Sequence, residues 1–164
     1  MTGRYDIEDT YLEKIMSKTI NINGRECAFD GNKTVLQVAR DNGFYIPSLC
    51  YHPKLGPASK CRVCVVEVDG VRNLQTSCSL VATDGMKITT DSQRVLDAQR
   101  MVVNLLLANG NHNCMICERN GNCELQDAAY NLGIEMPAFI VEEREEKDES
   151  AAFIIRDGNK CIQC

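Results

Sequence analysis

The chain has 164 residues, 44% of them hydrophobic but only 5% aromatic and none of them Trp, so it can bury one aliphatic core or two small ones. Its net charge of −5, with Lys and Arg dispersed rather than striped, argues against nucleic acid as a partner. No run approaches the roughly 18 apolar residues of a membrane span. The polar start, Met1 to Lys18, lacks the apolar region of a secretory leader, so a cytoplasmic chain is expected. In a reducing compartment the ten cysteines read as metal ligands rather than disulfides.

Residues 1–17 form an N-terminal extension in which Tyr11, Leu12, Ile15 and Met16 recur at helical spacing; a short amphipathic helix and a frayed tail are equal readings. Thr19 to Ile22 alternates, Asn23-Gly24 is a type I′ turn signal and Glu26 to Phe29 returns, which predicts a β-hairpin. Thr34 and Gln37 make a capping box for a helix that stops near Gly43, and Pro47 then enforces an extended loop. Strands are predicted at 64–68, 71–76 and 86–90. A helix packed on a small mixed sheet follows from this order, an α+β unit over 18–90.

From Ser92 the period changes. Val95, Ala98, Met101, Val102, Leu105 and Leu106 fall on one face of a predicted helix, with Arg94, Asp97, Gln99 and Arg100 opposite and Gly110 as its close. A second helix is expected from Glu124 to Leu132, stopped by Gly133. These make a second, helical unit over 91–140. Residues 142–149 are a charge run, read as part of a solvated linker over 141–150. A new segment occupies 151–164.

The cysteines fall into groups. Cys50-x10-Cys61-x2-Cys64-x13-Cys78 supplies four thiolates, two for each iron of a [2Fe–2S] cluster. Small residues such as Gly56, Ala58 and Ser59 in the long gap let backbone amides approach the sulfur atoms. The competing reading is a structural zinc site, although a zinc ribbon would show two C-x2-C pairs where the outer cysteines here are single. His112-x1-Cys114-x2-Cys117-x5-Cys123 supplies an imidazole and three thiolates, a donor set for a [4Fe–4S] cluster or for zinc. Cys161-x2-Cys164 opens like a bacterial ferredoxin motif, C-x2-C-x2-C-x3-C, but a cube needs four ligands; a polypeptide that continues past residue 164, with further [4Fe–4S] clusters there, is expected ahead of the alternatives, a vestigial pair or one completed by a partner. Cys27 reads as a buried structural thiol and His52 as structural.

Ile46-Pro-Ser-Leu-Cys-Tyr-His-Pro53, Cys61-Arg-Val-Cys-Val-Val-Glu67 and Thr76-Ser-Cys78 resemble the N-terminal region of the complex I 75-kDa subunit family. That family includes NAD-linked formate dehydrogenase α subunits, [FeFe] hydrogenases and the diaphorase subunit of NAD-reducing hydrogenases. Asn111-His-Asn-Cys-Met-Ile-Cys117 and Asn120-Gly-Asn-Cys-Glu-Leu-Gln126 are similar to its second motif, and Ile154 to Cys161 to the lead-in of its two-cluster ferredoxin domain. The resemblance covers 18–164. It implies a β-grasp [2Fe–2S] ferredoxin domain held by Cys50, Cys61, Cys64 and Cys78, then a small helical [4Fe–4S] domain with one His and three Cys ligands: His112, Cys114, Cys117 and Cys123. Many members have three residues between the His and the first Cys; this chain has one, like the diaphorase and some formate dehydrogenase subunits.

No dinucleotide loop, phosphate loop or nucleophile–base pair is found, so no catalytic residue is assigned. The expected function is an electron relay in a cytosolic NAD(P)-linked oxidoreductase of formate dehydrogenase or hydrogenase type. Its expected partners are a flavin subunit that oxidises NAD(P)H, a further iron–sulfur subunit and a catalytic subunit or domain. A stand-alone ferredoxin-like carrier and a zinc-stabilised docking protein are the alternatives.

Overall fold

The computed structural model describes residues 18–139 and 146–162. The expected helix within 1–17, residues 141–145 of the expected linker and Cys164 lie outside them.

The hairpin forms where alternation and turn chemistry agree. Strands β1 (Lys18–Ile22) and β2 (Arg25–Phe29) pair antiparallel, with Ile20 opposite Cys27 and Ile22 opposite Arg25. The turn residues Asn23 and Gly24 have φ of 51° and 86°, the left-handed pair that a type I′ turn requires. Ile20, Ile22, Cys27 and Phe29 all point into one core, and Cys27 is fully buried there.

Helix α1 (Val35–Asp41) carries the capping box in full: Gln37 N–H donates to Thr34 Oγ1 at 3.3 Å and Thr34 N–H to Gln37 Oε1 at 2.8 Å. Val35, Leu36, Val38 and Ala39 are fully buried against the sheet, each large one worth roughly 1.5–3 kcal/mol of removed apolar surface. A small pair, β3 (Tyr51–His52) and β4 (Gly56–Pro57), then forms within the loop where an extended segment alone was expected.

Strands β5 (Val65–Val68), β6 (Gln75–Thr76) and β7 (Lys87–Thr89) complete a five-stranded sheet in the order β2-β1-β7-β5-β6. β1 and β7 run parallel, with Ile22 beside Ile88, and the other pairs are antiparallel. The sheet is mixed, with α1 on one face: an α+β arrangement. The return strand is shorter than expected, two residues instead of six, because 71–74 form an open turn.

Helix α2 (Gln93–Ala108) starts at the Ser92 cap, whose Oγ accepts from Val95 N–H at 3.2 Å. Its buried face differs from the expected one. Val95, Gln99 and Val103 are buried, whereas Met101 and Leu105 are about half exposed. Gln99 belongs inside because its Nε2 donates to the Val65 carbonyl of β5 at 3.0 Å, so a satisfied polar side chain turns the helix relative to its most apolar stripe.

Helix α3 (Glu124–Asn131) stops before Gly133, whose φ is 68°. A second core joins it to α2 and to the cysteine loop: Leu49, Cys50, Cys61 and Val63 pack with Val103, Leu125, Ala128, Ala129 and Leu132. Arg100 Nε donates to the Leu132 carbonyl at 3.0 Å and closes this contact. The described part of the acidic segment is exposed but not featureless, since Asp148 and Arg156 exchange both backbone hydrogen bonds at 2.8 and 2.9 Å. Among the described residues no helix is long and apolar enough to cross a membrane.

Candidate metal centres

The loop between α1 and β5 delivers Cys50, Cys61 and Cys64, and the turn after β6 delivers Cys78. The turn is fixed from below: α1 begins with Val35 N–H on the Leu80 carbonyl (2.8 Å) and Leu36 N–H on the Ser77 carbonyl (2.9 Å). Ser77 in turn donates twice to the Cys64 carbonyl, from its N–H at 3.0 Å and from its Oγ at 2.8 Å. Cys64 and Cys78 are therefore brought side by side by the helix start, and both are 1% exposed.

All four thiols are buried and none is in a disulfide. They meet in two pairs. Cys61 lies beside Cys50, and Cys78 beside Cys64. The loop backbone turns its amides inward: Lys60 and Cys61 N–H donate to Cys50 Sγ at 3.3 and 3.4 Å. Ser59 and Arg62 take φ of 55° and 60° to do so. Ser59 Oγ lies 3.8 Å from Cys78 Sγ.

These contacts set the thiol acidities. Burial pushes the Cys50 thiol up, but the Cys61 amide, the Cys61 thiol and the Lys60 amide outweigh it and hold it below its ordinary value. Burial raises Cys61. Burial first, with the Cys78 thiol adding to it, pushes Cys64 up to about 12. A thiolate at the buried Cys64 is thus stabilised only by a cationic group beside it. The donor set fits iron: two thiolates on each of two irons is the requirement of a [2Fe–2S] cluster, whereas one tetrahedral ion wants all four donors on one point.

The second group lies between α2 and α3. Cys114 opens a short 3₁₀ turn (Cys114–Ile116) and Cys123 precedes α3. Gln126 shapes the intervening loop, accepting from Gly121 N–H at 2.8 Å and donating to Asn120 Oδ1 at 2.9 Å. Cys114, Cys117, Cys123 and His112 wall one cavity of about 160 Å³. An apolar cavity of about 150 Å³ already accepts a six-carbon ring, so a group of several heavy atoms fits. Burial raises the Cys114 thiol, and the nearby Cys123 and Cys117 raise it further. His112 Nε2 lies 3.1 Å from the Leu106 carbonyl, which ties the ring to the last turn of α2.

Cys161 is exposed, one residue past a 3₁₀ turn (Gly158–Lys160) that lies against the second group. The sequence does not single out Ser77 or Lys160, and it places Gln99 on the polar face of its helix. Ser77 sits beside Cys78 in the quoted motif, but nothing local marks the others.

Residues 17–93 match the family described as a 2Fe-2S iron-sulfur cluster binding domain, and residues 99–137 match the NADH-ubiquinone oxidoreductase-G iron-sulfur binding region. The chain belongs to the complex I 75-kDa subunit-like iron–sulfur family. The [2Fe–2S] and [4Fe–4S] cofactors are those of its two matched regions.

Among relatives in this family, NADP-reducing hydrogenase subunit HndD of Solidesulfovibrio fructosivorans is 41% identical over 152 residues, 89% of this chain and 26% of that protein. NAD-reducing hydrogenase HoxS subunit gamma of Cupriavidus necator is 32% identical over 156 residues, 91% of this chain and 63% of that protein. A crystal structure of NAD+-reducing [NiFe]-hydrogenase in the H2-reduced state superposes with a TM-score of 0.80 at 36% identity, covering 90% of this chain and 62% of that one. The chain thus spans between about a quarter and two thirds of the length of these relatives.

Proposed function

We propose that this chain is an electron-relay segment of an NAD(P)-linked oxidoreductase complex. In this reading Cys50, Cys61, Cys64 and Cys78 hold the [2Fe–2S] cluster and His112, Cys114, Cys117 and Cys123 hold the [4Fe–4S] cluster. Bound there, the clusters supply one-electron transfer. The chain's residues do the rest: the paired thiols bind, the Lys60 and Cys61 amides stabilise negative charge on Cys50 sulfur, and the second core keeps water from Cys50 and Cys61. The observation that carries the reading is the meeting of four buried thiols in two pairs with amides aimed at one of them.

The partners in this reading are a flavin subunit that meets NAD(P)H, a further iron–sulfur subunit, and a catalytic metal site on this or another polypeptide, all in the cytoplasm. The hydrogenase names among the relatives favour a hydrogen-linked couple over formate. Cys161 and Cys164 would begin a further ligand set.

The test is spectroscopic. The reduced protein should show two distinct electron paramagnetic resonance signals and acid-labile sulfide. Cys64→Ser should abolish or strongly alter the [2Fe–2S] signal and leave the other. A colourless protein with stoichiometric zinc would sink the proposal, and survival of both signals in Cys64→Ser would sink the ligand assignment.

A further inference from the structure

The wall of the second cavity is electrically one-sided. Among the described residues it contains two cations, Arg119 and Lys160, and no carboxylate, in a chain whose net charge is −5. Arg119 belongs to the cysteine loop itself, and its N–H donates to Cys117 Sγ at 3.5 Å. Lys160 arrives from a segment well beyond Cys123 in the chain, and its presence there is a matter of tertiary structure.

That segment is docked rather than adjacent by chance. Asn111 N–H donates to the Asn159 carbonyl at 2.7 Å, directly before His112. Gly110 makes the approach possible: a Cβ there would lie 2.5 Å from the Asn159 oxygen and 2.5 Å from His112 Nε2. Asp157 caps the 3₁₀ turn, its Oδ1 accepting from Asn159 N–H at 3.1 Å. Ile162 then packs on the second core. Among the described residues no carboxylate is paired with Lys160 in a salt bridge.

We propose that Lys160 is a positioning residue for the second centre's electrostatics, a fixed cation that the 157–162 segment holds in the wall of the His112/Cys114/Cys117/Cys123 cavity to favour the reduced state of the cluster there. This rests on the ligand reading above. Reduction adds one electron and no proton, so the centre becomes more negative by one charge, and a nearby cation stabilises that state. A cation in the cavity wall shifts the reduced-to-oxidised ratio severalfold through its Coulomb energy with the added electron. The device also makes the centre's potential depend on whether the 157–162 segment is seated.

The experiment is a dithionite titration of the full-length protein monitored by electron paramagnetic resonance, the second signal being assigned as the one lost in Cys117→Ser. At the potential where the wild-type centre is half reduced, Lys160→Gln should lower the reduced-to-oxidised ratio severalfold, and Lys160→Glu further still. Lys160→Arg should restore the wild-type value, the [2Fe–2S] signal should titrate unchanged in every variant, and added salt should shrink the differences. An unmoved ratio in both Lys160→Gln and Lys160→Glu overturns the inference, as does a shift in Lys160→Arg equal to that of Lys160→Gln. Absence of any second cluster signal in the wild-type protein overturns the underlying ligand reading instead.

Discussion

Gln99 offers the sharpest check on how the two halves are joined. It is 2% exposed, and its Nε2 donates at 3.0 Å to the carbonyl of Val65, the residue after Cys64. Leucine at this position fills a similar volume but cannot donate, so the Val65 carbonyl loses a buried partner at a cost of about 1–2 kcal/mol. For a chain of this length that lowers the thermal midpoint by roughly 2–8 °C. Gln99→Glu should cost more, because a carboxylate oxygen would face the carbonyl oxygen in a water-excluded site. The assay is a thermal scan at one fixed rate, followed by circular dichroism for the fold and by visible absorbance for cluster loss. The two signals should fall together in Gln99→Leu, since α2 packs on the same core as Cys50 and Cys61. A Gln99→Leu protein that melts within about one degree of wild type, or a Gln99→Glu protein more stable than Gln99→Leu, would refute the reasoning.

His112→Cys replaces a neutral donor by a charged one and should lower the potential of the second centre; an unshifted potential would mean the imidazole is not a ligand. In the cluster-free chain, the Cys64 thiol is raised by burial and by Cys78 from 9.0 to about 12. Its contribution to stability is present in full below about pH 9 and is lost as pH rises toward 12, because the unfolded chain releases this proton first. Alkaline denaturation of chelator-treated protein should therefore steepen above pH 9, and Cys64→Ala should flatten it; equal curves would refute the claim. Gly110→Ala should lower the occupancy of the second centre, measured as iron per chain, since its Cβ would collide with the Asn159 carbonyl and the His112 ring.

The sequence by itself determined the local structure and the chemistry. The Asn23-Gly24 turn and the Thr34–Gln37 capping box are decided by neighbours a few residues apart, and each forms where expected. The cysteine spacings carried the two cofactors, because ligand number and type are properties of the residues themselves. The long-range contacts were not legible. The buried face of α2 turns on one hydrogen bond to a strand 34 residues away, which no hydrophobic period records. The pairing of Cys64 with Cys78 comes from Leu36 and Ser77 meeting across the start of α1. Lys160 looks like one surface charge among 18 basic residues until the chain folds back and sets it beside the second group of cysteines. Periodicity sees only separations of a few residues, whereas these choices depend on which distant backbone groups become neighbours in the folded chain.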